Sequence, residues 1–186
     1  MKFYHGTDNP DLKILTTDFA NEGYVFLTKS YPFAVLYGGS SDRFWAFNKE
    51  TGKLVIREVC EDGLKKMYKG KTFYIYTTED IEQVEEYEYC GAKNYKTKQN
   101  VKLESKETVV DAYDKIINLY ESGELEILFW NDLSSEQKEK CQNKIKSTLC
   151  ADMKLNYTKF KKDYDVLVRL FPETALTEEE IENIKS

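Results

Sequence analysis

Along the first hundred residues, apolar and polar positions alternate with the period of a strand more often than they follow the period of a helix. Residues 2–5 alternate until Gly6 breaks the run. Residues 24–28 form a second stretch of aromatic and β-branched side chains. Ser30 and Pro32 follow, with proline where the first turn of a helix tolerates it, and Phe33, Ala34 and Tyr37 fall on one helical face. Residues 44–47 and 53–59 read as a hairpin closed through residues 48–52, with Gly52 at the bend. A short helix is expected over residues 61–68, where Leu64, Met67 and Tyr68 share a face and Gly70 stands just past the end. Residues 72–77, 81–90 and 101–103 then read as strands. Within 81–90, Val84, Glu86 and Glu88 share one parity while Glu85, Tyr87 and Tyr89 share the other. Short strands parted by turns, with little helix between them, indicate a mostly antiparallel sheet.

The connections carry their own signals. Asp8, Asn9, Pro10 and Asp11 make a turn, Leu12, Ile14 and Leu15 return the chain to the core, and residues 16–22 form a polar loop. Gly38, Gly39, Ser40 and Ser41 read as a flexible loop. Because a strand, not a helix, is expected after it, this loop does not match a phosphate-binding one. Residues 95–103 are basic. At Ser105 the pattern changes. Residues 107–121 carry Val109, Tyr113, Ile116, Ile117 and Tyr120 at helical spacing, closed by Gly123, and residues 125–129 alternate as a late strand. Ser134 with Gln137 makes a capping box that opens a lysine-rich helix to about Cys150. A further helix spans 154–170, stopped by Pro172, and Thr177 with Glu180 caps a final acidic one. The expected organisation is α+β, with a core over residues 1–105 and a helical extension over 106–186 packed on it as one unit.

At 186 residues the chain is long enough for one well-buried core, and its 41% hydrophobic and 32% charged content are those of a globular protein. The aromatic fraction of 14% is high, and tyrosine supplies both strand edges and the walls of wet grooves. Cys60, Cys90, Cys141 and Cys150 form no C-x-x-C pair, and with His5 as the only histidine a zinc site is not expected. The scattered thiols suit a reducing, cytoplasmic setting. No apolar run reaches the eighteen residues or so of a membrane span, and with a charged strand at the amino terminus no signal peptide is expected. A net charge of −6 argues against non-specific nucleic-acid binding.

The combination of His5-Gly6-Thr7, the strand from Gly23 to Thr28, and Ser30 with Tyr37 resembles the histidine–tyrosine–glutamate branch of the ADP-ribosyltransferase-like family, which has the diphtheria-toxin type of fold. In that family a first strand ends in His-Gly-Ser/Thr, and a later aromatic strand leads into a helix carrying a tyrosine. Phe26 departs from the pattern, standing where the family often has tyrosine. The resemblance covers about the first 105 residues and implies a split, mostly antiparallel sheet with the helical half as a carboxy-terminal extension.

The resemblance further implies binding of NAD as a substrate and cleavage of its nicotinamide–ribose bond. Carried over, His5 would hold the adenosine ribose, backbone groups at Gly6 and Thr7 would hold the nicotinamide amide, and Phe26 and Tyr37 would stack its ring. It also makes residues 18–22 a cofactor-side loop. A glutamate at a later strand would stabilise the cationic ribose of the transition state. Of Glu82, Glu85, Glu86 and Glu88, the expected residue is Glu88, since Glu88-Tyr89-Cys90 is similar to that family's strand start. Set against these roles are plain ones: core for Phe26 and Tyr37, a structural histidine, a solvated acidic strand edge. The acceptor of ADP-ribose is left open between protein, nucleic acid and small molecule. Two other functions stay open on the same fold: a catalytically silent binding module, and RNA 2′-phosphotransferase-like chemistry, for which Arg43 and nearby lysines are the candidate cations. The basic and aromatic stretch 154–164 reads as the solvated face of a helix, with nucleic-acid stacking as its alternative.

Overall fold

The computed structural model describes residues 1–19, 23–39, 45–48, 50–79, 81–89 and 91–185. It has mixed α and β structure, with strands β1 (Phe3–Thr7), β2 (Ile14–Leu15) and β3 (Val25–Thr28) preceding helix α1 (Tyr31–Gly39). Next come β4 (Trp45–Phe47), β5 (Leu54–Arg57), α2 (Gly63–Tyr68), β6 (Phe73–Thr78), β7 (Glu85–Tyr89), β8 (Ala92–Thr97), β9 (Val101–Lys102) and β10 (Ser105–Val109). The chain ends with α3 (Ala112–Glu121), β11 (Leu125–Leu128), α4 (Ser135–Leu155), α5 (Tyr157–Leu170) and α6 (Glu178–Lys185). No helix among the described residues is long and apolar enough to cross a membrane.

The chain divides into two compact units, one of residues 1–56 with 67–127 and the other of residues 57–66 with 128–186. The division expected after residue 105 does not coincide with this one. Ser105 opens β10, which pairs along β6, and α3 and most of β11 group with the sheet. Residues 107–109, expected as helix, are strand because their backbone pairs with Phe73, Ile75 and their neighbour Tyr74. The helix starts only after Asp111, whose side chain accepts from Asp114 N.

The first unit is built on a six-stranded antiparallel sheet in the order β10-β6-β1-β3-β8-β7. Phe3, Val25, Leu27 and Tyr95 bury one of its faces, where Leu15 and Val101 from the β2–β9 ribbon cover them. Strand β8 has no counterpart in the sequence pattern, because polar Asn94 and Thr97 lie buried among its positions and hide the alternation. Strand β7 starts at Glu85, later than expected, and Cys90 lies outside the described residues. The hairpin of β4 and β5 forms as its sequence suggests, with Gly52 at φ 68°.

The opposite sheet face meets α1 at an unusually short distance. A Cβ on Gly6 would stand 2.0 Å from the Ala34 carbonyl oxygen and 2.7 Å from the Gly38 nitrogen. A Cβ on Gly38 would in turn stand 2.3 Å from the Phe73 ring. Gly6 therefore lets helix backbone rest on strand backbone, and Gly38 leaves room for the Phe73 ring. Gly38 and Gly39, expected in a loop, are the last residues of α1, and Ser40 and Ser41 lie outside the described residues. Ala34, Val35 and Leu36 are almost wholly buried, while Tyr37 at the same crossing is 50% exposed.

The second unit packs Cys141, Ile145, Leu149 and Met153 of α4 with Tyr164 and Leu167 of α5 among its buried residues. Both expected caps form. Ser134 exchanges hydrogen bonds with Gln137, and Thr177 with Glu180. Glu58 is buried with its carboxylate oxygens accepting from the backbone nitrogens of Leu64 (3.0 Å) and Trp130 (2.9 Å), so it serves as a structural tie.

Gly6→Ala must drive α1 off β1, since the clash is with backbone that no rotamer relieves. A loss of about 1–3 kcal/mol or more is expected in chemical denaturation. A variant of wild-type stability would show that the helix does not depend on this approach.

Candidate functional site

Strand β1 pairs with β6 along five residues, from Phe3↔Thr78 to Thr7↔Tyr74. On its other side it pairs with β3 at one position, Tyr4↔Thr28. Beyond that position the two strands part, and the backbone carbonyl of Phe26 turns to a side chain for its hydrogen bond. His5 Nδ1 lies 3.1 Å from Phe26 O. A carbonyl only accepts, so Nδ1 carries the proton in this bond and the neutral ring keeps a lone pair on Nε2. Burial favours this neutral form and holds the His5 pKa below the usual 6.5, against the hydrogen bond to Phe26 O, which raises it.

The parting of β1 and β3 opens a cleft of about 1000 Å³ that reaches both faces of the sheet. Leu12, Ile14 and Leu15 line it on the ribbon side, and Tyr24, Phe26, Tyr37, Tyr87 and Tyr89 make its aromatic wall. The wall is braced internally. Phe26 meets Tyr87 edge to face with centroids 5.8 Å apart, and Phe33 holds Tyr37 at 5.3 Å. Burial, with the nearby Tyr37 phenol adding to it, pushes the Tyr87 hydroxyl up to about 12, so it stays protonated and able to donate. The segment between β1 and β2 is fastened by Tyr76, whose hydroxyl donates to Asn9 O (3.1 Å) and accepts from Leu12 N (3.2 Å).

A second, more polar opening of about 790 Å³ shares His5, Thr7 and Tyr37 and adds Gly38, Lys71 and Thr72. Burial lowers the Lys71 pKa. A small recess of about 50 Å³ shares His5, Phe26, Tyr37, Tyr87 and Tyr89 with the main cleft. Gly6 and Asn94 are among its other lining residues, with Phe33 and Ala34 of α1.

Five of the six residues singled out in the sequence thus border one connected region: His5, Gly6, Thr7, Phe26 and Tyr37. Gly6 has a second task in the helix crossing, and Thr7 Oγ1 accepts from Asn9 N at 3.2 Å. The sixth, Glu88, is exposed and stands opposite Lys93 in the ladder. Its strand neighbours Tyr87 and Tyr89 line the cleft, so alternation points Glu88 to the other face. Glu85 has the parity of the two tyrosines and lies 3.7 Å from Lys96 Nζ, a cleft-lining cation. Glu86, on the face of Glu88, is tied to Lys93 at 3.0 Å, and that ion pair holds its carboxyl below the ordinary range. The one carboxylate among the described cleft-lining residues is Asp8.

Of the loop expected beside the cofactor, Asp18 lies in a short 3-10 turn, Thr17–Phe19, and residues 20–22 lie outside the described residues. Residues 12 and 14–16, just before it, line the cleft instead. Arg43 also lies outside the described residues. Tyr24, Tyr87, Tyr89, Lys96 and Asn94 were not singled out as site residues. The shared parity of Glu85, Tyr87 and Tyr89 was the available signal. No protein-family model, curated protein or solved structure matches this chain.

Proposed function

We propose that this protein is an ADP-ribosyltransferase-like NAD-binding protein whose site is the cleft where β1 and β3 part. The observation that carries the proposal is His5 bridging that gap to Phe26 O, with Nε2 left as an acceptor beside an aromatic wall. A ribose hydroxyl donates to such a nitrogen, and a flat cationic ring stacks on electron-rich phenol and phenyl faces. Phe26 and Tyr37 are the ring-stacking pair, and the opening beside Lys71 and Thr72 suits the charged remainder of a dinucleotide.

Transfer chemistry requires a carboxylate near the ribose, where positive charge develops as the nicotinamide bond breaks. Glu85 has the strand parity for that role, with Lys96 holding its carboxylate. The exposed position of Glu88 and the scarcity of carboxylates along the cleft favour a second reading, a binding module that holds NAD without cleaving it.

NAD at about a hundredfold excess over its dissociation constant should stabilise the protein by about 2.7 kcal/mol, read as a thermal shift. Tyr37→Ala should shrink that shift while leaving the unliganded fold intact, and His5→Ala should shrink it while also lowering stability, because the Phe26 carbonyl loses its partner. Because His5 acts as a neutral acceptor with a lowered pKa, affinity should hold steady through pH 6.5 and decline only below it. Absence of any shift at millimolar NAD would overturn the proposal.

Nicotinamide release separates the two readings. In a transferase or NAD hydrolase, Glu85→Gln depresses turnover by orders of magnitude with affinity nearly unchanged, and Glu88→Gln is neutral. Wild-type protein that binds NAD and releases no nicotinamide is the silent module. Loss of turnover in Glu88→Gln alone would contradict the strand geometry.

A further inference from the structure

Asn94 sits on β8, only 1% exposed, and lines the small recess. Its Nδ2 donates to Ala92 O at 3.4 Å, and its Oδ1 has no hydrogen-bond partner. Among the described residues this is the one buried side-chain oxygen or nitrogen in that condition. Reversing the amide offers no escape, since it would set an oxygen against the Ala92 carbonyl. An unmet acceptor in a buried site destabilises the fold by about 1–3 kcal/mol. An apolar residue at this position would avoid that cost.

The surroundings indicate what the acceptor is for. Asn94 lines the recess of about 50 Å³, whose other walls include Phe26, Tyr37, Tyr87 and Tyr89. The recess shares four aromatic residues and His5 with the main cleft, so a ring lying along the aromatic wall reaches it edge first. Ring faces are met by aromatic side chains, while Asn94 adds one unsatisfied acceptor.

We propose that Asn94 is a specificity-determining residue: its Oδ1 accepts a hydrogen bond from an N–H donor, a primary carboxamide in the case of NAD, at the edge of the bound ring. The proposal rests on the NAD-binding reading and adds to it the selection of an amide over an ester or acid. A site with a buried acceptor rejects a ligand that leaves the acceptor unpaired, which discriminates far more strongly than shape does.

The test compares nicotinamide with methyl nicotinate, which has the same ring and similar bulk and no N–H donor, by ligand-observed NMR titration of the full-length protein. Wild-type protein should prefer nicotinamide by about tenfold or more. Asn94→Leu, close in size and without an acceptor, should abolish the preference and raise the melting temperature of the unliganded protein. Equal binding of the two compounds by wild-type protein overturns the proposal without reference to any variant. So does an unchanged preference in Asn94→Leu, or a crystal structure of the nicotinamide complex in which an ordered water alone satisfies Oδ1. NAD binding that persists alongside equal binding of the two rings would remove Asn94 from specificity and leave the NAD reading standing. Failure of NAD itself to bind would instead strike the parent reading.

Discussion

The contact on which the site depends is backbone against backbone, where α1 crosses β1 at Gly6. With the Ala34 carbonyl and the Gly38 nitrogen where a Cβ would have to be, no other residue type fits at position 6. The crossing brings α1 directly over the strand that carries His5, and Tyr37, one residue before Gly38, is left half exposed beside it. On the opposite side, β3 leaves β1 after a single paired position. One glycine contact and one strand divergence together assemble a histidine, a tyrosine and a phenylalanine that lie far apart in sequence.

His5 links the two features. In a continuous sheet the Phe26 carbonyl would be satisfied by a strand neighbour. Here the imidazole satisfies it, which stabilises the gap and fixes the tautomer in the same bond. That bond is structural, and it leaves the Nε2 lone pair available to a ligand. The separate readings of His5 as a fold residue and as a ligand-binding residue are therefore not exclusive.

Much of this arrangement was legible in the sequence because it is local. The strand before Gly6, the strand before Ser30, the proline in the first turn of α1 and both carboxy-terminal caps each depend on neighbours a few residues away. What was hidden depends on partners distant in the chain. Residues 107–109 have a helical pattern, yet β6 recruits them as an edge strand, as tertiary pairing overrides local preference. Strand β8 was masked by Asn94 and Thr97, polar residues that lie buried among its positions and hide the alternation. The choice of Glu88 came from local similarity, whereas strand parity, written in the same few residues, selects Glu85 as the companion of Tyr87 and Tyr89.

The most direct measurement is a crystal structure of the protein soaked with saturating NAD. The account predicts the nicotinamide ring between Phe26 and Tyr37, its amide edge toward Asn94, and a ribose hydroxyl donating to His5 Nε2. NAD bound on another surface, or density for NAD nowhere while the cleft between β1 and β3 holds only solvent, would contradict it.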